Sequence, residues 1–402
     1  MLRGGRRVCS THDSAGRSGS TVTPLRIATR VLAGFVCALI VSAAAPLRAQ
    51  APATVRVGLV LGADSAVIGS DGPIDVLDGD GSRQDTLGGG RLTARPAATG
   101  IELGGTTYVG AVRLQPRAGF LHVNARPYRG MLELRRTPQG RLTVINALDL
   151  EEYLYGVVRS EMDPRWPPEV LRAQAVAARS LGLYWAGRYA AEGYDVRATT
   201  DNQVYGGVAA EDPRSTAAVD ATRGTVMNYG GRPVFAAYHT DSGGATENSE
   251  LVWGSVTPYL RGVDDPYAKD AANQGHEWTL RLSLADLEGR LQRAGRPVGG
   301  IQRLEVAATS PTGRVISLRV IGGAGVIEVR GTEFRTALGA NVLRSTMFTV
   351  RTVGDAVEFA GRGFGHGVGM SQWGARGQAL AGRDAVAILR YYYTGVTVGP
   401  RP

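Results

Sequence analysis

Between residues 51 and 147 the apolar positions follow the two-residue period that is typical of β-strands. Short blocks of β-branched residues, such as Val55–Gly62 and Ala66–Gly69, are separated by turns rich in glycine, aspartate and proline. Gly130–Ile145 alternates on both sides of the turn-forming sequence Thr137-Pro138-Gln139-Gly140 and therefore predicts a hairpin. We expect an all-β N-terminal region whose last strand leads directly into the next domain.

The pattern changes from strands to helices at residue 149. Asp149, followed three residues later by Glu152, predicts a capped helix over Leu150–Val158. Pro167-Pro168 stands where a first helical turn tolerates proline, so a second helix is expected over Val170–Arg188. The apolar face of this second helix contains small residues. It should therefore pack closely against its neighbours as a buried central helix.

Beyond residue 193 the chain returns to strands, loops and short helices. The expected elements are a strand at Val234–Thr240, a helix at Leu284–Ala294 capped by Ser283, a small antiparallel sheet within Leu304–Gly331, a strand at Ala356–Gly361 and a closing helix at Ala385–Tyr393. Strand-rich and helix-rich segments are separated along the chain, which indicates an α+β protein. The fold class predicted is a β-rich N-terminal region followed by an α+β domain with a small inserted antiparallel sheet.

The N-terminal segment has the features of a removable leader. An apolar run at Val31–Ala45 follows Arg26 and Arg30, and small residues precede Gln50. The run is short for a membrane span, although an uncleaved anchor is the alternative. We predict a signal peptide at residues 1–49, a β-rich region at 50–129 and an α+β domain at 130–398, with an inserted α/β subdomain at 280–350. The protein is then expected to be secreted or periplasmic.

Charge and cysteine usage narrow the classes of partner. Seven arginines and one aspartate give residues 1–49 a charge of +6, so the rest of the chain carries +3 of the total +9. A charge this small gives little support to nucleic-acid binding, and we predict neither a nucleic-acid partner nor a membrane contact beyond the leader. Cys9 and Cys37 both lie in the leader, so the remaining chain can form neither a disulfide nor a cysteine metal site.

Glu161 is the strongest candidate for a catalytic group. It is expected on a short connector between the two helices, beside Met162 and Trp166 and ahead of a proline-rich, stiff turn. Burial beside an aromatic ring disfavours a carboxylate, so the acid could hold its proton near neutral pH. An ordinary solvated glutamate is the alternative, and local sequence does not decide between the two.

A second candidate is the strand end Tyr238–Gly244, whose hydroxyls and glycines could present hydrogen-bond donors to a ligand. A polar turn is the alternative. His239, Asp241 and Ser242 suggest a hydrolase triad, but neighbouring residues on one strand point to opposite faces, which disfavours it.

The third candidate is the glycine-rich segment Gly361–Gly374. A dinucleotide loop would need a βαβ unit and an acidic residue about 20 positions later, and only a short helix follows here. The segment is therefore either a tight loop or a cleft wall that presents His366, Gln372 and Trp373 to a sugar. Metal binding has little support, because the histidines outside the leader lack helical or finger spacing, although His239 and His366 could meet in space.

Three ordered motifs resemble the stage II sporulation protein D family, which includes amidase enhancers. They are Val144–Ser180, Tyr238–Gly254 together with Pro258–Pro266, and Gly361–Gly377. Together with a weaker match beginning at Tyr128, the resemblance extends to about Val398. Thr240-Asp241 stands where Ser-Thr is common in the family, and the cysteine-bearing zinc sites of some members cannot form. The resemblance does not cover the region up to about residue 125.

The resemblance implies a peptidoglycan lytic transglycosylase. We predict no cofactor, because the cysteines that a family zinc site would need are missing from the chain after the leader. Glu161 would be the catalytic acid of this enzyme, and its substrate would be glycan strands from which an amidase has removed the stem peptides. Cleavage of the MurNAc–GlcNAc bond would leave 1,6-anhydro ends. From polarity and motif position, the residues expected to line the cleft are Arg179, Tyr238, Ser242, His366 and Gln372. Two alternatives are a non-catalytic glycan-binding activator of an N-acetylmuramoyl-L-alanine amidase, and a hydrolase that pairs Glu161 with Asp163 or Asp241.

Overall fold

The computed structural model describes residues 53–270 and 272–401, and its first elements are all strands. The predicted leader, with Cys9 and Cys37, lies outside the described residues. The prediction of an all-β N-terminal region is confirmed. Its strands are β1 (Thr54–Ala63), β2 (Ala66–Ser70), β3 (Ile74–Leu77), β4 (Arg83–Leu87), β5 (Gly90–Pro96), β6 (Gly100–Leu103), β7 (Thr106–Val109), β8 (Val112–Pro116), β9 (Leu121–Val123), β10 (Arg126–Tyr128), β11 (Met131–Arg136) and β12 (Leu142–Asp149).

The predicted hairpin is also confirmed, because β11 pairs antiparallel with β12. The Thr137 N–H donates to the Arg141 carbonyl at 2.7 Å and closes the turn. These two strands lie inside a seven-stranded sheet of order β13-β1-β12-β11-β8-β3-β4, in which β13 is Val196–Arg197. The sheet therefore contains strands from both sides of the predicted domain boundary between residues 129 and 130. A six-stranded sheet of order β10-β9-β2-β5-β6-β7 accompanies it.

Strand β12 continues without a linker into helix α1 (Leu150–Glu161). Asp149 is both the last residue of the strand and the N-cap of the helix, where its carboxylate accepts the Glu151 N–H. The helix extends three residues beyond the predicted end, so Glu161 is its last residue and does not lie on a connector. Pro164 disfavours helical backbone at the residue before it, which explains why α1 ends just short of Asp163.

Helix α2 (Pro168–Tyr184) is the buried central helix that the sequence predicts. From Val170 to Gly182 every residue except Arg172 is buried. Its alanines contact two groups of apolar side chains, one with the N-terminal sheets and one with the C-terminal helices. The helix ends four residues before the predicted position, and the left-handed backbone of Gly187 (φ 76°) follows it.

The middle of the chain folds into short elements, several of which the sequence did not predict. The expected strand at Val234–Thr240 is wrong in extent, because only two of its residues pair with another strand. The elements are α3 (Pro213–Ala221), β14 (Thr225–Tyr229), β15 (Arg232–Pro233), β16 (Tyr238–His239) and α4 (Ser249–Trp253), with 3-10 turns at Val208–Ala210 and Pro266–Ala268.

Residues 277–362 form two small antiparallel sheets and two helices around a separate apolar core. Ser283 caps α5 as predicted, since its hydroxyl accepts the Asp286 N–H at 3.0 Å. The predicted small sheet within Leu304–Gly331 is confirmed. The elements are β17 (Glu277–Ser283), α5 (Leu284–Arg293), β18 (Ile301–Thr309), β19 (Val315–Gly322), β20 (Gly325–Arg330), α6 (Gly331–Leu338), β21 (Phe348–Val353) and β22 (Ala356–Arg362).

The C-terminal segment returns to the core around α2. Its elements are β23 (Met370–Ser371), α7 (Gln372–Leu380), α8 (Ala385–Tyr392) and β24 (Thr397–Pro400). Strand β23 pairs in parallel with β16, so the glycine-rich segment lies beside the strand end that carries Tyr238. The α+β fold class is confirmed. Within residues 53–270 and 272–401, no helix is both long enough and apolar enough to cross a membrane.

Candidate active site

Glu161 is the last residue of α1 and lines a cavity of about 380 Å³. Its Oε1 accepts the backbone N–H of Val204 at 3.0 Å. Asp163 shares the cavity, and its carboxylate is held by the backbone and guanidinium N–H groups of Arg165. This pairing lowers the Asp163 pKa to about 2. Asp163 and Asp212, which also line the cavity, are each paired with an arginine, whereas no cation within the described residues pairs with Glu161.

Burial raises the pKa of Glu161 above its ordinary value. Two hydrogen bonds, from the Val204 N–H and from the Tyr238 hydroxyl, oppose that rise because they stabilise the anion. The effect of burial is the larger. A carboxyl group in this setting keeps its proton to a higher pH than a solvated glutamate, and two donors are in place when it ionises.

A hydrogen-bonded network supports Glu161. The Gln203 side chain donates from Nε2 to the Tyr238 hydroxyl and accepts at Oε1 from the Tyr153 hydroxyl, both at 3.3 Å. Gln372 donates from Nε2 to the backbone carbonyl of Glu161 at 3.1 Å. The Tyr238 oxygen accepts from Gln203, so its own proton remains free to be donated to Glu161. These contacts hold the acid in one orientation.

Two of the predicted cleft residues, Tyr238 and Gln372, are thus brought to Glu161 by the fold. The Tyr238 ring reaches it from β16, and Gln372 reaches it as the first residue of α7. Tyr153, Gln203 and Val204 were not predicted. The last two lie in a segment without an evident motif, more than 40 residues after Glu161, and only the tertiary fold brings them to the site.

Arg179 is predicted to line the cleft, but its side chain is only 1% exposed. Its Nε and Nη2 donate to the two carboxylate oxygens of Glu151 at 2.9 and 2.6 Å. Its Nη1 donates to the Thr225 carbonyl at 3.0 Å. A guanidinium with these partners links secondary-structure elements and is not accessible to a ligand.

Ser242 is also predicted to line the cleft, and it is fully buried. Its hydroxyl donates to the Asp265 carboxylate at 2.7 Å, and its backbone N–H donates to the Ser371 hydroxyl. Asp241 instead accepts from His276 and Asn273. The disfavoured hydrolase triad is therefore not formed, because Ser242 and Asp241 have different partners.

His366 contacts the backbone of β16, and no hydrogen bond joins it to Glu161 within the described residues. Its Nε2 donates to the Tyr238 carbonyl at 3.0 Å, and its Nδ1 accepts the Val368 N–H at 3.1 Å. Both nitrogens are used by one neutral tautomer, and burial lowers the His366 pKa to about 4. Its ring does meet that of His239, with centroids 5.2 Å apart. Among the residues that the structure describes, no group of three or more His, Cys, Asp or Glu side chains is placed to hold a metal ion.

The raised pKa of Glu161 predicts a pH-dependent effect of Glu161→Gln on stability. The folded state binds this proton more tightly than the unfolded state, so native stability falls as pH rises through the interval between the two pKa values. The variant carries no buried anion, and we expect its free energy of unfolding to exceed that of the native protein at pH 8.

Urea unfolding at pH 8 and at about pH 4 measures this effect, since the unfolded glutamate is itself half protonated near the lower pH. The excess in free energy of unfolding of the variant over the native protein should be smaller at the lower pH. Glu152→Gln on the same helix, where the side chain is 38% exposed, is the control for removing one charge. A variant that is less stable than the native protein at pH 8 would contradict the raised pKa.

Sequence comparisons find a family described as Stage II sporulation protein, whose sequence model matches residues 138–229. That range contains α1, Glu161 and α2. A second family, described as Domain of unknown function (DUF8618), matches residues 254–369. The two matches together cover the Glu161 cavity and the small sheets that follow it.

Three relatives illustrate the similarity. Stage II sporulation protein D of Bacillus subtilis is 33% identical over 269 residues, which are 63% of this chain and 75% of that protein. An uncharacterized protein of Brachyspira hyodysenteriae is 34% identical over 258 residues, covering 64% of this chain and 68% of that protein. The Bacillus subtilis protein named Amidase enhancer is 31% identical over 293 residues, covering 61% of this chain and 40% of that longer protein.

Proposed function

The chain belongs to the stage II sporulation protein D family, and from this premise we propose that it is a peptidoglycan lytic transglycosylase. It would cleave the MurNAc–GlcNAc bond of peptide-free glycan strands in the cell envelope. The observation that carries the proposal is the Glu161 carboxyl, whose pKa is raised by burial and which accepts hydrogen bonds from Val204 and Tyr238, while Gln372 holds the Glu161 backbone carbonyl.

One acid of this kind can perform the whole reaction. Protonated Glu161 donates its proton to the glycosidic oxygen as the bond from that oxygen to C1 of MurNAc breaks. The 6-hydroxyl oxygen of the same sugar then bonds to C1, and its proton passes to the Glu161 carboxylate. Glu161 is thereby restored, no water is consumed, and the products are a free 4-hydroxyl and a 1,6-anhydro end. Between the steps, the Val204 N–H and Tyr238 hydroxyl stabilise the anion.

The charges at the cavity suit an acidic glycan. Arg159, Arg165 and Arg214 all line it. Arg165 and Arg214 form ion pairs with neighbouring aspartates, whereas Arg159 is exposed and forms no ion pair or hydrogen bond within the described residues. Removal of the stem peptide leaves a free lactyl carboxylate on each muramic acid, which an unpaired guanidinium can bind.

The products of the native protein test this proposal. Purified protein is incubated with peptide-free glycan strands in water enriched in the heavy oxygen isotope, and the released fragments are weighed by mass spectrometry. Anhydro ends without heavy oxygen are expected. Reducing ends that carry heavy oxygen would contradict the proposal and favour the hydrolase alternative, in which Asp163 activates water.

A second candidate is a non-catalytic glycan-binding activator of an N-acetylmuramoyl-L-alanine amidase. The similarity to the protein named Amidase enhancer favours it. This candidate predicts that the protein sediments with cell-wall sacculi and stimulates a partner amidase while releasing no sugar itself. Glu161→Gln would leave that stimulation unchanged. In both cases the expected location is outside the cytoplasmic membrane, which rests on the predicted leader at residues 1–49.

A further inference from the structure

A cavity of about 770 Å³ is lined in part by His366, and it shares no lining residue with the Glu161 cavity. It is bounded by α4, α5 and α6. Its size falls within the usual range of ligand pockets, about 300–1,000 Å³. We call it the arginine cavity, defined by Trp253, Arg290, Arg293, Arg296, Arg335 and His366.

Two of the four arginines have acidic partners and two do not. Arg290 pairs with Asp286, and Arg296 pairs with Glu333. Arg293 is exposed and forms no hydrogen bond or ion pair in the part of the chain that the structure describes. The excess of positive charge at this cavity therefore comes partly from arginines that no carboxylate of the described residues neutralises.

The second such arginine, Arg335, is partly buried. It donates to the backbone carbonyls of Leu343, Arg344 and Ala340 and to no carboxylate among the described residues. Burial lowers its pKa, and its charge contributes to the lowered pKa of the adjacent His366. A partly buried cation whose partners are all neutral attracts an anion to the space beside it.

A row of aromatic side chains, Tyr184, Phe235 and Trp253, extends from this cavity, and we call it the aromatic track. Trp253 is 40% exposed, and its ring centroid lies 5.2 Å from that of His366 and 5.5 Å from that of Phe235. Phe235 lies 5.3 Å from the ring of Tyr184, which is 48% exposed. Exposed aromatic rings offer flat apolar faces against which the C–H faces of pyranose rings can pack.

We propose that the arginine cavity and the aromatic track form a second glycan-binding surface, which holds the lactyl carboxylates of a peptide-free strand away from the Glu161 cavity. The identity of this ligand rests on the proposed function, because the strand is the same polymer that Glu161 would cleave. Aromatic faces bind the sugar rings, and Arg293 and Arg335 bind the carboxylates. A protein attached in this way would retain a long strand between cleavage events.

The test is a binding measurement in the Glu161→Gln background, where the strand is not cut. Peptide-free glycan strands are immobilised, and Kd is measured for the added double substitution Arg293→Glu with Trp253→Ala. We expect Kd to rise about tenfold or more, as the loss of a charge-assisted hydrogen bond implies. Arg91→Glu is the matched control, because Arg91 is exposed on β5 and forms no ion pair in the described residues.

A second binding measurement changes the ligand and not the protein. Strands whose carboxylates have been reduced to alcohols should bind the Arg91→Glu control protein about as weakly as the double variant binds native strands. Equal Kd values for the double variant and the control would overturn the proposal, and so would tighter binding of single-stranded DNA than of glycan. Thermal unfolding of each variant establishes that it is folded.

Cleavage assays separate this proposal from the catalytic one. With Glu161 intact, the double variant should release products from short oligosaccharides at the native rate and lose efficiency only on long strands. If the native protein releases no anhydro product but the double variant still loses affinity, the binding surface stands and the transglycosylase proposal fails. If the double variant keeps its affinity while the native protein releases anhydro products, the binding-surface proposal fails and the transglycosylase proposal stands.

Discussion

Glu161→Gln is expected to reduce the release of anhydro products from peptide-free glycan strands by about 100-fold or more. Glutamine keeps the shape of the side chain and can still accept the Val204 N–H. It cannot donate a proton to the glycosidic oxygen or take one from the 6-hydroxyl. Both half-reactions would therefore fail together, while the cavity and its hydrogen bonds remain.

Initial rates over a range of strand concentrations measure the effect, and the loss should appear in kcat with little change in KM. Glu152→Gln is the matched control: it makes the same substitution on the same helix at a more exposed position, and it should retain the native rate. If the rate of Glu161→Gln is within about threefold of the native rate, general acid catalysis by this residue is ruled out. A hydrolase that used Asp163 would instead lose activity in Asp163→Asn as well.

The second large effect concerns the buried ion pair between α1 and α2. Glu151→Ala is expected to lower the free energy of unfolding by about 3–5 kcal/mol, because it leaves the Arg179 guanidinium buried without its carboxylate. The pair also holds the segment after α3, since Glu151 Oε1 accepts the Gly224 N–H and Arg179 donates to the Val219 carbonyl. Loss of the carboxylate therefore loosens several elements at once.

Urea unfolding at neutral pH measures this loss. Glu152→Ala, one residue along the same helix and more exposed, should change stability by no more than about 0.5 kcal/mol. Glu151→Leu combined with Arg179→Met should recover much of the stability, because an apolar pair of similar volume carries no desolvation cost. A loss below about 1 kcal/mol in Glu151→Ala would show that Arg179 finds another partner or reaches water.

Features that depend on neighbouring residues could be predicted from the sequence. Asp149 and Ser283 cap their helices, and the turn at Thr137–Gly140 closes its hairpin, because each is decided by a few adjacent side chains. The end of α1 could not be placed as well. Helical backbone continues through Ser160 and Glu161, and only the tertiary structure shows that Glu161 belongs to the helix.

Features that depend on distant contacts could not be predicted. Val204 donates to Glu161 across 43 positions, and no local pattern marks it. Arg179 and Ser242 are polar residues in conspicuous motifs, and polarity alone suggested contact with a ligand. Their partners, Glu151 and Asp265, become visible only once helices and loops are assembled. Polar side chains inside a motif can thus serve the fold, and burial decides between the two roles.

The direct passage of β12 into α1 has a mechanical consequence. A rigid strand, hydrogen-bonded on both edges, ends at the residue that caps the helix, and that helix carries Glu161 at its far end. The β-rich region is therefore not a separate domain joined by a flexible linker. Exchanging the chain before residue 130 for that of another protein would separate strands that share one sheet. A displacement of β12 would therefore also displace the helix that carries Glu161.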